Sequence, residues 1–331
     1  MRTLLITVDA LRRDHLGCYG YDRNTTPFLD KLAEENTVFR NCYSASCHTR
    51  EAIPSILTGR KPENCVSGYY RLDAPTVPEK LPEEVETTGI TTGCYLTRTE
   101  KHNRGFDNFY SDYRFGSNLA TRQSEYFARI ALNKQYRPAE KQEEEIVSGL
   151  ESEESFVWAH FMDPHAPYNK YSETYFGEEV SSRRLQYLFR KANHLPGLID
   201  ESERQQVIDA YDNSLRYLDS QLRRLFSNLP EDVTVLIVGD HGELLGEDGE
   251  YEHPKRLSRK LLEVPLIVRN GEDREISESV STMDIAPTIV QNYDSQIKCD
   301  GENLFSEGGN PIEASCSKIW KRTYRTFKQT E

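Results

Sequence analysis

Short apolar runs alternate with amphipathic segments along most of the chain. Several runs are continuous stretches of Val, Ile and Leu, as expected for parallel strands covered on both faces. Between the runs, apolar residues recur every three or four positions, which predicts helices. The alternation indicates an α/β fold, with a mostly parallel central sheet flanked by helices on both faces. The predicted strands are Leu4–Asp9, Ile90–Thr97, Phe156–Met162, Val233–Gly239 and Val264–Arg269, and the predicted helices are Phe28–Glu35, Glu203–Leu229 and Asp284–Asn292.

Two stretches depart from this alternation. Residues 99–154 are charged and poorly periodic, and they are predicted to be a solvated insertion. Residues 293–331 lose the strand and helix pattern and finish in a basic segment. This end is predicted to be a small C-terminal subdomain or a docking segment, which leaves residues 1–292 as the main domain.

Composition excludes several protein classes. The 331 residues carry 41 basic and 54 acidic side chains, so the formal charge is −13, which argues against general nucleic-acid binding. No apolar run approaches the ~18 residues of a membrane span, and the first residues resemble a strand rather than a signal peptide. Seven cysteines without a CxxC pair favour reduced thiols. A soluble cytoplasmic protein is therefore expected.

Polar side chains follow three of the predicted strands at the point where each strand ends. Asp9 follows the first, Asp163 and His165 follow another, and Asp240 and His241 follow a third. One Asp after a strand is usually a turn or cap residue. Because the carboxyl ends of parallel strands meet at one edge of a sheet, the whole set points instead to a ligand site. Carboxylate and imidazole together suit Zn²⁺, Mn²⁺ or Fe²⁺, and oxygen-rich variants suit Mg²⁺ or Ca²⁺.

A second group of candidate residues lies between Cys47 and Gly59. The segment has the pattern of a loop followed by a short helix that ends at Gly59. A hydroxyl at the start of this helix, that of Thr49, would face the positive end of the helix dipole. A divalent metal and the dipole together would lower the pKa of that hydroxyl, as a Thr nucleophile requires. The alternative is that Thr49 only caps the helix.

An ordered set of motifs resembles the sulfatase branch of the alkaline phosphatase superfamily. The motifs occur in the family's order and extend from residue 4 to about residue 304. They include the segments Thr7–Gly17, Leu57–Pro62, Gly105–Asp107, Met162–Tyr168, Asp240–Glu243, Glu263–Val268 and Met283–Thr288. The resemblance implies an alkaline-phosphatase-like fold and makes residues 1–292 a catalytic domain.

The resemblance also implies a metal site formed by Asp9, Asp240 and His241, with the nucleophile bridging to the ion. In sulfatases the nucleophile is a formylglycine made from Cys or Ser, ten residues before the Gly of a Leu-Thr-Gly motif. Here that position is Thr49, Cys47 lies twelve residues before the Gly, and the Pro and Arg expected two and four residues after the nucleophile are Glu51 and Ile53. The segment from Thr49 to Pro54 instead resembles branches of the family that keep an unmodified Thr nucleophile, several of which act on phosphate esters or transfer phospho-groups. The sequence therefore favours Thr49 chemistry.

Further roles follow from the same resemblance. His165 corresponds to the family histidine beside the leaving group, and His253 to a residue near the ester oxyanion. Arg50 could bind the same anion with its fork of donors. Ala10 replaces an Asp that binds metal in many sulfatases, which favours Zn²⁺ or Mn²⁺, with Ca²⁺ or Mg²⁺ still possible. His102, before the Gly-Phe-Asp match, is either a substrate contact or a surface residue.

The predicted activity is metal-dependent hydrolysis of a sulfate or phosphate ester, carried by a small molecule or a glycan, through a covalent Thr49 intermediate. Phosphate mono- or diesters and phosphonate esters are favoured because of the nucleophile. The alternatives are a true sulfatase with a formylglycine at Cys47, a phospho-group transferase, and a non-catalytic metal-binding protein. The sequence leaves the oligomeric state undetermined.

Overall fold

The computed structural model describes residues 1–68, 70–112, 136–168, 173–270, 272–306, 312–317 and 324–329. Strands are β1 (Arg2–Val8), β2 (Thr37–Tyr43), β3 (Val66–Ser67), β4 (Arg71–Leu72), β5 (Glu86–Thr91), β6 (Asn108–Ser111), β7 (Ser155–Phe161), β8 (Val233–Gly239), β9 (Leu244–Leu245), β10 (Tyr251–Glu252), β11 (Glu263–Arg269), β12 (Arg274–Ser281), β13 (Ile312–Ser317) and β14 (Tyr324–Gln329). Helices among the same residues are Pro27–Glu34, Thr49–Thr58, Pro62–Cys65, Glu143–Gly149, Ser182–His194, Glu201–Phe226, Arg259–Leu262 and Ile285–Asn292.

The central sheet has eight strands in the order β12-β2-β11-β8-β1-β7-β5-β6. Every neighbouring pair is parallel except for the two pairs made by β11, which is antiparallel to β8 and to β2. The predicted α/β fold with a mostly parallel sheet is confirmed. The apolar pattern does not predict β2, β6 and β12, because these strands mix polar residues with the apolar ones.

Two hydrophobic cores cover the two faces of the sheet. On β1, Leu4 and Ile6 pack into one core with the long helix Glu201–Phe226, whereas Leu5 packs into the other with the helix Thr49–Thr58. Successive side chains of a strand point to opposite faces, so a strand buried on both sides needs apolar residues at every position. The continuous apolar runs of the sequence are therefore explained by strands that are buried on both faces of the sheet.

One predicted strand is displaced. The run predicted as Ile90–Thr97 forms the strand β5 only as far as Thr91. Beyond it the chain turns, because the Thr91 hydroxyl donates to the Leu96 carbonyl at 2.7 Å and the Leu96 amide donates to the Gly93 carbonyl at 3.2 Å. These local bonds replace ladder bonds, and the turn carries Tyr95 to the end of the sheet where the strands terminate.

The prediction that residues 99–154 form a solvated insertion is wrong for much of the described part. Residues 108–111 form β6, and the helix Glu143–Gly149 packs Ile146 into the core without any exposure. Gly149 lies so close to the sheet that an added Cβ would meet a Val157 methyl group at 2.9 Å. The acidic segment 151–154 does lie largely at the surface. Residues 113–135 lie outside the described residues.

The C-terminal strand contacts the loop that precedes the helix Thr49–Thr58. β13 and β14 form an antiparallel pair, and the Ser315 amide of β13 donates to the Ala45 carbonyl at 2.9 Å. The Ser317 amide donates to the carboxylate of Glu51 in the first turn of the helix. The boundary at residue 292 stays a prediction, and the basic residues Lys318, Lys321 and Arg322 lie outside the described residues. Within the ranges given above, no helix combines the length and the apolar character needed to span a membrane.

Candidate metal and nucleophile site

The candidate site lies where two neighbouring parallel strands end. Asp9 directly follows β1, and Asp240 and His241 directly follow β8, its partner in the sheet. Ala10 has a positive φ of 56°, and its amide donates to Asp240 Oδ1 at 3.2 Å. The His241 amide donates to the same oxygen at 2.7 Å. These bonds hold the Asp240 carboxylate with Oδ2 facing Asp9 and His241.

The three side chains fit a divalent metal ion. One ligand atom from each of Asp9, Asp240 and His241 lies within 4.8 Å of the other two, and all three residues are fully buried. Asp9 Oδ1 and Asp240 Oδ2 have no hydrogen-bond partner among the described residues. His241 Nδ1 lies 2.8 Å from the Gly242 carbonyl, so Nδ1 carries the proton and Nε2 keeps a lone pair for a ligand bond. Two carboxylates and an imidazole suit Zn²⁺ or Mn²⁺.

The Thr49 hydroxyl lies beside these ligands. Its Oγ1 donates to Asp9 Oδ2 at 3.0 Å and is 3.0 Å from His241 Nε2. Thr49 is the first residue of its helix, and the capping position belongs to His48, whose Nδ1 accepts the Arg50 amide. The helix ends at Gly59 with φ of 65°. The reading of Thr49 as a cap is therefore wrong, and the hydroxyl faces the acidic cluster.

The two carboxylates have opposite pKa shifts. Burial raises the pKa of Asp240 well above its ordinary value, and the charge of Asp9 raises it further. Burial alone would also raise the pKa of Asp9, but the charge of His165 and the contact with His160 outweigh it and lower this pKa. Two buried carboxylates this close repel one another, and a bound cation would relieve the repulsion.

A cavity of about 180 Å³ opens onto Thr49 and Asp9. His165 lines it, with Nδ1 3.0 Å from the Tyr136 hydroxyl and 2.8 Å from the Ala166 carbonyl. Burial would lower the pKa of His165, but the negative charges of Asp9 and Glu243 outweigh it and raise the pKa. A proton on this histidine is therefore stabilised next to the nucleophile.

His253 lines the same cavity, but its pKa is shifted in the opposite direction to that of His165. Its ring centroid is 4.6 Å from that of His241, and its Nδ1 is 3.1 Å from Glu243 Oε1. Burial, together with the charge of His165, lowers the pKa of His253 to about 4, and burial raises the pKa of Glu243 to about 7. A histidine with so low a pKa is mostly uncharged at neutral pH, so His253 offers a hydrogen bond rather than a positive charge.

Arg50 is oriented by aromatic rings. Its guanidinium carbon lies 3.4 Å from the centroid of the Tyr95 ring and 5.2 Å from that of Tyr70. Arg50 Nε is buried and has no hydrogen-bond partner in the described part of the chain, and both Arg50 and Tyr95 line the cavity. The stacking leaves the nitrogen atoms of the guanidinium available to an anion.

The sequence reasoning missed four residues of this site. Tyr95 and Tyr136 lie in segments without a motif, and nothing in the sequence around His48 assigns it a role. Glu243 belongs to the Asp-His-Gly-Glu motif, which could have identified it as a partner for a neighbouring histidine.

Other candidates lie away from the cavity. The Cys47 thiol is buried against the Pro254 carbonyl at 3.8 Å, and contact with Cys316 and burial raise its pKa. Asp163 Oδ1 accepts the Ala139 amide at 3.1 Å. His102 is buried outside the cavity, with an exposure of 1%.

The eight-stranded sheet and the cluster of Asp9, Thr49, Asp240 and His241 at its carboxyl edge define an alkaline-phosphatase-like α/β protein. A family model described as Sulfatase matches residues 2–294. The chain belongs to the sulfatase family.

Curated relatives include both sulfatases and phosphoethanolamine transferases. The chain is 23% identical over 286 residues to phosphoethanolamine transferase EptA of Helicobacter pylori. This alignment covers 84% of this chain and 49% of the relative. It is 23% identical over 321 residues to iduronate 2-sulfatase of Mus musculus. That alignment covers 76% of this chain and 56% of the relative. The chain thus spans about half the length of these curated relatives.

Solved structures share the fold at low sequence identity. A phosphonate monoester hydrolase of Agrobacterium radiobacter superposes with a TM-score of 0.70 at 16% identity, covering 97% of this chain and 81% of that one. The C-terminal periplasmic domain of EptC from Escherichia coli, in complex with Zn, superposes with a TM-score of 0.66 at 17% identity. The superposition covers 99% of this chain and 92% of that domain.

Proposed function

We propose that this protein is a metal-dependent hydrolase of phosphate or phosphonate esters, with unmodified Thr49 as its nucleophile. The observation that carries the proposal is the position of Thr49 Oγ1, 3.0 Å from both Asp9 Oδ2 and His241 Nε2 at the start of a helix. Cys47, the residue that the alternative of a true sulfatase would convert to a formylglycine, has its thiol buried against Pro254 and does not line the cavity. The curated relatives include a phosphoethanolamine transferase and a sulfatase at the same 23% identity, so the preference for phosphorus rests on the unmodified Thr49.

Asp9, Asp240 and His241 would hold the metal together with the Thr49 oxygen. A divalent ion there supplies Lewis acidity, which lowers the pKa of the Thr49 hydroxyl and offsets negative charge on the substrate. Asp9 Oδ2 accepts the hydroxyl hydrogen and aligns the oxygen. The positive end of the helix dipole stabilises negative charge on that oxygen.

The covalent step exchanges one ester bond for another. Thr49 Oγ1 attacks phosphorus in line, the new Oγ1–P bond forms, and the bond from phosphorus to the departing alcohol oxygen breaks. His165 lines the cavity and has a raised pKa, so we assign it the proton that the alcohol takes up. In the second step water gives one proton to His165 and its oxygen attacks phosphorus, so that the Oγ1–P bond breaks, Thr49 is released, and His165 regains the proton that it gave to the alcohol.

Arg50 and His253 stabilise the oxygens that do not react. Arg50 brings a fixed positive charge and a planar fork of donors, and Tyr95 stacking holds it in place. His253, neutral at pH 7, contributes hydrogen bonding. The substrate is expected to be a small-molecule or glycan ester, because a cavity of about 180 Å³ accommodates the ester group and a small part of the alcohol.

The test compares Thr49→Ser and Thr49→Val on the zinc- and manganese-loaded protein, with panels of nitrophenyl phosphate, phosphodiester, phosphonate and sulfate esters. Thr49→Ser should keep measurable turnover, and Thr49→Val should lose it while retaining the fold. Intact-mass analysis during turnover should show one added phosphoryl group on the unmodified chain. Full activity of Thr49→Val, or a mass loss that maps to an aldehyde at Cys47, would refute the proposal.

A second candidate is transfer of the phospho-group to an acceptor alcohol instead of water. The match to a phosphoethanolamine transferase over 84% of this chain favours it. The two reactions share the covalent Thr49 step and differ in what attacks afterwards. Product analysis with added acceptor alcohols decides between them, because a transferase forms the new ester in preference to free phosphate.

A further inference from the structure

A chain of buried polar groups lies behind Asp9. Trp158 Nε1 donates to Thr7 Oγ1 at 3.0 Å, and Thr7 Oγ1 lies 2.8 Å from His160 Nδ1. Thr7 of β1 is the register partner of His160 of β7, and Trp158 is two residues earlier on the same strand, so all three share one face. Each of the three residues is completely buried.

The hydrogen bonds of Thr7 favour one tautomer of His160. An indole N–H can only donate, so the Thr7 oxygen accepts from Trp158, and its one hydrogen is directed either to His160 Nδ1 or to the Ala159 carbonyl. His160 Nδ1, at 2.8 Å, is closer to that oxygen than the Ala159 carbonyl, at 3.4 Å. If the hydroxyl donates to Nδ1, the histidine proton is on Nε2.

Asp9 favours the same tautomer. His160 Nε2 is 3.7 Å from Asp9 Oδ2, too long for a full hydrogen bond but close enough for strong electrostatic contact. A lone pair on Nε2 would repel the carboxylate, whereas an N–H attracts it. Oδ2 also accepts the Thr49 hydroxyl, while Oδ1 has no partner among the residues described.

We propose that Thr7 and Trp158 lock His160 in the Nε2–H tautomer, and that His160 thereby fixes the rotamer of Asp9 that binds metal. His160 is a positioning residue, since it acts through Asp9 and does not line the cavity. The proposal rests on the proposed function only in treating Asp9 as a metal ligand. Groups that orient a ligand in this way typically change metal affinity about 10- to 100-fold when removed.

The first experiment reads the tautomer directly in the full-length protein. Nitrogen-15 spectra of labelled histidine distinguish Nε2–H from Nδ1–H rings, and the signal that disappears in His160→Asn identifies this residue. We expect Nε2–H in the unmodified protein. An Nδ1–H ring overturns the proposal whether or not any variant folds.

The second experiment measures Zn²⁺ affinity by competition with a chromophoric chelator. Thr7→Val removes the hydroxyl and should weaken binding about 10- to 100-fold, and Thr7→Ser should restore it. The matched control is Thr3→Val, because Thr3 is equally buried on β1 and its hydroxyl is hydrogen-bonded to Tyr293 at 3.0 Å. Thr3→Val should leave the affinity unchanged.

Melting temperatures in excess chelator separate metal affinity from stability. The proposal is supported if Thr7→Val and Thr3→Val lower the melting temperature by comparable amounts and only Thr7→Val weakens zinc binding. Unchanged affinity in Thr7→Val, or an equal fall in both variants, overturns it. Absence of ester hydrolysis in a protein that meets these expectations would refute the proposed function alone.

Discussion

Glu51 connects the nucleophile helix to the C-terminal strand, and its removal should destabilise the protein strongly. The side chain is completely buried in the first turn of the helix that begins at Thr49. Its Oε2 accepts the Ser46 hydroxyl at 2.8 Å, and its Oε1 accepts the Ser317 amide at 3.2 Å. Ser46 and Ser317 are themselves buried, so water cannot replace the carboxylate if it is removed.

The magnitude follows from the groups left without partners. Each buried donor that loses its acceptor costs about 1–3 kcal/mol. Glu51→Ala leaves two such donors, from Ser46 and Ser317, so the free energy of unfolding should fall by about 2–6 kcal/mol. Glu51→Gln retains one acceptor oxygen and the shape of the side chain, and it should lose about half as much, ~1–3 kcal/mol.

Urea denaturation of the metal-free protein measures both variants, and amide hydrogen exchange localises the effect. Faster exchange is expected at Ser317 and in the first turn of the helix, with smaller changes in the helix Glu201–Phe226, which packs on the opposite face of the sheet. A loss below ~1 kcal/mol in Glu51→Ala would contradict the reasoning, since neither donor could then be buried and unpaired.

Three further predictions concern the metal, the acid limit and the anion site. Zn²⁺ at 100 times its dissociation constant should stabilise the protein by about 2.7 kcal/mol, and Asp240→Asn should remove this gain. Burial would raise the pKa of Asp14, but Arg12 outweighs it and holds the pKa below its ordinary value. Its stabilising contribution is therefore present above pH ~4 and is lost as the pH falls below it, so Asp14→Asn should lower stability at pH 7 and flatten the acid decline. Arg50→Lys loses the planar fork and the Tyr95 stack, and kcat/KM should fall about 10-fold or more.

Each of these three predictions can be checked by one measurement. Thermal unfolding with and without zinc tests the first, and an unchanged shift in Asp240→Asn would exclude this carboxylate as a ligand. Unfolding free energies between pH 3 and pH 7 test the second, which fails if Asp14→Asn and the unmodified protein decline in parallel. Steady-state kinetics test the third, with Tyr95→Leu as the control that removes the stack and keeps the guanidinium.

Several features of the site could be predicted from sequence because they depend on local order. The strand ends at Asp9 and Asp240 follow from apolar runs that stop at a polar residue. The helix beginning at Thr49 follows from the terminal Gly59, whose αL conformation ends it. The spacing of apolar residues, together with the residues that begin or end helices and strands, is enough to predict such features, since each depends on neighbours within a few residues.

The supporting contacts could not be predicted, because they join residues far apart in sequence. Arg50 stacks on Tyr95, His253 faces Glu243, and Thr7 reaches His160 across 153 positions. Local patterns say which residues face a core, and they do not say which partners the strand order will bring there. The same limit explains residues 99–154, where charge suggested a surface although Ile146 and β6 complete the sheet layer.

By itself, the sequence determined the α/β class, the edge of the sheet at which chemistry gathers and the residue types that gather there. Only the tertiary structure decided that Thr49 Oγ1 lies 3.0 Å from Asp9, that Cys47 is buried out of reach, and that burial lowers the pKa of His253. The physical reason is that the class follows from periodic burial, which is encoded residue by residue. Distances and protonation states depend instead on which strands pair and on what each pairing excludes from water.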